Sequence, residues 1–155
     1  MGHWARHQQA HRDWTSLDFR SPTTGLFVAA RAGTEDQSTR TTLTLTMAPV
    51  QGCAADAVLV RETDAPVSTA RDDLIHVTIQ VDDSPLQRLP ARLLMEPGDF
   101  FIFVQFLSGL PFDRLKNHQV LAVSLPNGQS ARFSLAGFDD AWTAAEAVCK
   151  SFLVP

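Results

Sequence analysis

Between Thr41 and Met47 the chain reads Thr-Thr-Leu-Thr-Leu-Thr-Met, an alternation of apolar and hydroxylated residues. Successive side chains of a strand point to opposite faces, so a period of two buries one face and wets the other. The β-branched threonines suit a half-exposed sheet surface. The same period returns in Ile75, Val77, Ile79 and Val81, with His76, Thr78 and Gln80 between them. Leu17 and Phe19 also alternate with polar neighbours. Further strand-like runs are Gly25 to Val28, Ala57 to Arg61, Arg88 to Met95, Phe100 to Leu107, Val120 to Leu125 and Ala131 to Leu135. Turn signals separate them: Ser21-Pro22, Asp82-Asp83-Ser84-Pro85, Glu96-Pro97-Gly98-Asp99 and Pro126-Asn127-Gly128. The last predicts a hairpin in which Asn-Gly supplies positive φ angles. Phe100 to Leu107 is apolar without alternation, which predicts burial on both faces or one face under a helix.

Two helices interrupt this pattern. Pro111 to Asn117 is expected to make one short turn. Phe138 to Leu153 is rich in alanine and carries Ala141, Trp142, Ala145, Val148, Cys149 and Phe152 on one stripe, the signature of a helix pressed onto a sheet. Asp139 or Asp140 is expected to cap its start. The expected fold is mainly β: an antiparallel β-sandwich or β-barrel-like domain with a C-terminal α-helix packed on it. With 155 residues, residues 14–155 are expected to form a single β-rich domain. Residues 1–13 are expected to be a flexible N-terminal segment or a cloning remnant.

The two cysteines either pair or stay as buried thiols. Cys53 follows a strand and Cys149 lies on the buried stripe of the last helix, so a bridge would tie the helix to the sheet. A disulfide predicts an oxidising compartment, periplasmic or secreted. The N-terminus lacks the apolar core of a signal peptide, so the protein is either cytoplasmic or a mature chain whose signal peptide has been removed; the opening Met-Gly-His favours the second. No run of eighteen apolar residues occurs, which argues against membrane insertion. The thirteen Lys and Arg are scattered and the net charge is -4, which argues against nucleic acid as a partner.

The C-terminal third carries a resemblance. Val120-Leu121-Ala122-Val123 with its hairpin leads to Ala131-Arg132-Phe133-Ser134-Leu135-Ala136-Gly137-Phe138, then to a helix ending in Cys149. This resembles the periplasmic invasion-associated-locus-B-like β-sandwich proteins and related secreted domains of Gram-negative bacteria. The resemblance implies the fold, the compartment and the disulfide, and brings no catalytic residues with it.

Chemistry-bearing patterns are sparse. His3, His7 and His11 would share a face only on a helix. Ser108, Asp113 and His118 lie in one segment without a nucleophile elbow. Asp72-Asp73, Asp82-Asp83 and Asp139-Asp140 read as turn and cap residues, not as paired catalytic acids. No phosphate-cradling glycine loop appears. The expectation is a chain that is not an enzyme, with no catalytic residue, cofactor or metal.

Recognition remains. The segment from Phe106 to Leu115 offers Leu110, Phe112, Asp113 and Arg114 as candidate protein-binding residues. In the competing reading, Leu110, Phe112 and Leu115 plug the end of the sandwich. The acidic loop from Glu62 to Asp73 is a second candidate surface. The expected function is a non-catalytic protein-binding domain, either an envelope-complex accessory subunit or an immunity protein against a secreted effector. One alternative is a small apolar-ligand carrier with a cavity lined by Phe100, Phe101, Phe103, Phe106 and Trp142. The other is an enzyme whose site the sequence hides.

Overall fold

The computed structural model describes residues 4–108 and 115–153. Ten strands form one antiparallel sheet: β1 (Trp4–His11), β2 (Trp14–Arg20), β3 (Phe27–Asp36), β4 (Thr41–Met47), β5 (Ala55–Glu62), β6 (Arg71–Val81), β7 (Gln87–Met95), β8 (Phe101–Phe106), β9 (Val120–Ser124) and β10 (Ser130–Ser134). Their order is β1-β2-β3-β4-β5-β8-β7-β6-β9-β10. β1 to β5 form a meander. The chain then crosses to β6, returns through β7 and β8 to meet β5, and adds β9 and β10 beyond β6. The expected mainly β fold with a helix packed on it is therefore present, as one open sheet.

The sheet bends until β10 approaches β2 and β3, but no backbone ladder closes it. Side chains and one backbone bond span the gap. Trp14 Nε1 donates to the Ser134 carbonyl (2.8 Å), the Arg132 N–H donates to Asp36 (2.9 Å), and Ser134 Oγ donates to Asp13 (2.6 Å). The Asp13 N–H donates to the Ala136 carbonyl (3.1 Å). These contacts use polar groups that an edge strand would otherwise expose.

The helix α1 (Phe138–Ser151) packs chiefly on β2 and β3. There the small Ala30 and Ala32 are fully buried. Trp14 meets Phe138 edge-on at 5.0 Å, and Ala141, Trp142, Ala145 and Cys149 complete the buried stripe. Cys53 and Cys149 form a disulfide with Cα atoms 6.0 Å apart. It joins the short 3-10 turn Pro49–Gln51 to the last turns of α1.

Several local expectations are corrected. Residues 4–11 form an edge strand. Nothing apolar alternates there; the ladder to β2 and the His7 and His11 side chains bind it to its neighbour. Asp72 and Asp73 lie inside β6 and not in a turn. The helix cap is Gly137, while Asp139 and Asp140 occupy the first turn, where negative charge suits the dipole without a side-chain cap. At the β9–β10 hairpin only Gly128 takes a positive φ. Asn127 instead accepts the Gln129 N–H through its side chain (3.0 Å).

Candidate functional site

The continuous apolar strand β8 is buried on one face only. Val104 and Phe106 enter the core, while the period of two turns Phe101, Phe103 and Gln105 outward. α1 does not cover that side, because it sits over β2 and β3. The expectation for this strand, burial on both faces or one face under a helix, is therefore not met among the described residues.

Register assembles the uncovered face. Val60, Phe103, Leu94 and Asp72 form one cross-strand row over β5, β8, β7 and β6. Val58, Gln105, Arg92 and Leu74 form the next. Phe101 and Phe103 lie with ring centroids 6.5 Å apart. Leu74 is 73% exposed although both its chain neighbours are polar or core-facing. Arg92 bonds Asp72 at 3.0 Å across the same surface. Large apolar groups thus surround one paired arginine, the composition found at the centres of protein interfaces.

The loop from residue 63 to 70 borders this face. Val67 is buried and exchanges backbone bonds with Gly98 and Asp99. Its expected acidity is largely neutralised. Arg40 pairs with Asp64 and lies 3.9 Å from Glu62, and Arg71 pairs with Asp73 at 2.7 Å.

Of the sequence-based candidates, Leu110, Phe112, Asp113 and Arg114 lie outside the described residues, as do Asp113 of the considered triad and His3. Phe106 and Leu115, at either end of that segment, are both core residues. His118 Nδ1–H donates to the Asp82 carboxylate (2.9 Å). That carboxylate also receives the N–H groups of Gln119 and Val120. The Val120 N–H above all, helped by His118 and Gln119, holds Asp82 below the usual carboxylate range.

One polar cluster was not legible in the sequence. On β2 the buried positions are Trp14, Ser16 and Asp18, while Leu17 and Phe19 are half-buried on the other side. His11 bonds Ser16 (2.8 Å) and His7 bonds Asp18 (3.0 Å). Two different histidines serve the hydroxyl and the acid, so no single imidazole bridges them as a triad requires. Arg20 also reaches Asp18 at 3.3 Å, and the second carboxylate oxygen has no hydrogen-bond partner. Among the described residues, no three His, Cys, Asp or Glu side chains group as metal ligands.

The carrier cavity is not assembled. Phe100 and Phe101 are exposed, Phe103 is on the outer face, and Phe106 and Trp142 are core residues. An apolar void lined by Leu59, Val104, Val123 and Leu125 has a volume of about 20 Å³, room for roughly one water.

Comparison with family models, with curated proteins and with solved structures returned no match.

Proposed function

We propose that this chain is a non-catalytic protein-binding domain that works outside the cytoplasm, periplasmic or secreted, in the manner of the invasion-associated-locus-B-like proteins. The supporting observation is the uncovered face of β5, β8, β7 and β6, with Phe101, Phe103, Leu94 and Leu74 around the Arg92–Asp72 pair. A strand as apolar as β8 is normally covered on both sides, and a partner protein supplies the missing cover. An accessory role in an envelope complex, or blockade of a secreted effector, fits this reading. The Cys53–Cys149 disulfide supports an oxidising compartment. No helix of the described chain is long and apolar enough to cross a membrane.

The test compares the wild type with Leu74→Lys and Phe101→Asp in affinity capture from extracts of the native host. Leu74→Lys should change stability by no more than about 0.5 kcal/mol, as surface substitutions do. Both variants should lose a partner that the wild type retains. A partner retained equally by all three would refute the assignment of this face.

A further inference from the structure

A second exposed apolar region lies at the end of the molecule where α1 finishes. Segments from three parts of the chain meet there. The loop before β3 ends in Leu26, which is 67% exposed; the 3-10 turn carries Val50, 93% exposed; and α1 runs out through Phe152 and Leu153, both exposed. Contacts fix these segments to one another. Phe27 stacks on Phe152 with centroids 4.2 Å apart, and the disulfide bonds the turn to the helix.

Two properties set this end apart. Residues 21–30, 47–55 and 151–153 contain no charged side chain. The flanking cations are already engaged: Arg20 pairs with Asp18 and lies over the Phe27 and Phe152 rings, and Lys150 pairs with Glu146 at 3.6 Å. Most of the backbone N–H groups here are bonded within the same segments. The N–H groups of Gln51, Gly52, Cys53 and Ala54 bond carbonyls within their own turn. Those of Thr23, Thr24, Gly25 and Leu26 bond Ser21 or Thr24, and those of Phe152 and Leu153 bond back into α1.

We propose that this end docks on a lipid surface, placing Leu26, Val50, Phe152 and Leu153 at the headgroup–acyl boundary of an electrically neutral leaflet. Backbone entering that boundary must bring its own hydrogen bonds, because the acyl region supplies none. Most of the N–H groups of these tips do so, that of Val50 apart. A side chain as exposed as Val50 makes almost no contact with its own chain. A rigid protein partner would need a separate pocket for each tip, whereas a fluid acyl layer adapts to all. With the flanking cations Arg20 and Lys150 paired, attraction to anionic headgroups has no part in the binding. Stapled tips also lose little conformational freedom on docking.

The experiment is sedimentation of the disulfide-intact protein with phosphatidylcholine vesicles, at low and high salt. Expected is a bound fraction that salt leaves unchanged. The double variant Leu26→Ser, Val50→Ser should bind at least about tenfold more weakly, given the apolar area removed, with an unchanged near-UV circular dichroism spectrum. The sheet-face variant Leu74→Lys should bind vesicles as the wild type does, so this test stands apart from that of the protein-binding face. Three results would overturn the proposal. One is no binding by the wild type. Another is binding that needs phosphatidylglycerol and fades with salt. The third is a lipid-free dimer that the double variant abolishes, which would assign this end to a second copy of the chain.

Discussion

Gly137 is the residue where backbone geometry leaves least choice. Its φ is +91°, and a Cβ there would lie 1.6 Å from the His11 carbonyl oxygen. Gly128 has a similar φ of +85° but open space around it. Gly137→Ala should therefore fail to fold or lose more than about 3 kcal/mol, whereas Gly128→Ala should lose about 1–2 kcal/mol, the cost of a left-handed side chain alone. Urea unfolding midpoints measure both, and equal losses would show that β1 yields to the added methyl group. Sequence pattern finds a glycine before a helix, but the strand lying against it was invisible, since the stretch from Trp4 to His11 has no period. Asp82 gives a pH-dependent counterpart. Its folded carboxyl lies below the usual value, chiefly through the Val120 N–H, while the unfolded value is about 3.9. Its contribution is complete above the unfolded value and is lost as pH falls through the folded one. The stability gap between wild type and Asp82→Asn should be constant above about pH 5 and shrink below about pH 4. A gap that persists at low pH would mean that the carboxylate charge is not what holds the chain entering β9.

At the scale of elements, the strands with one clean buried face were legible. β4 buries Thr41, Leu43, Leu45 and Met47, and β6 buries Val77, Ile79 and Val81, as their alternation requires. The stripe on α1 was legible for the same reason, and so was the context of its cysteine. β2 and β8 were not. β2 places Ser16 and Asp18 inward because β1 supplies histidines to bond them, a long-range compensation that a local pattern does not record. β8 has the composition of a strand covered on both sides, and the sequence could not say that α1 packs over β2 and β3 instead. α1 depends on its anchor. Cys53→Ser with Cys149→Ser should lower stability by about 4–5 kcal/mol on the chain-entropy scale for a loop this long, read from the shift in urea midpoint. A loss below about 1 kcal/mol would mean that Trp142, Phe138 and the alanine stripe hold the helix without the bridge.

For the whole molecule, fold class and the Cys53–Cys149 pairing followed from patterns that act along the chain, whereas strand order and the candidate site did not. β8 lies between β5 and β7 because β6, β7 and β8 turn back on themselves, and only that order gathers Val60, Phe103, Leu94 and Leu74 on one face. The aromatic face and the apolar end then divide the surface into two regions with different chemistry. One surrounds a paired arginine with large apolar side chains; the other is built from segments without charged residues, with the ion-paired Arg20 lying over its Phe27 and Phe152 rings. A domain held to a lipid surface by one region would present the other to a protein. The most direct measurement uses a photo-crosslinking residue at position 74, on the face, and at position 35, exposed on β3, in the native host. A discrete protein adduct from position 74 and none from position 35 is expected. Equal adducts from both positions, or none from position 74, would contradict a protein-binding role for the β5-β8-β7-β6 face.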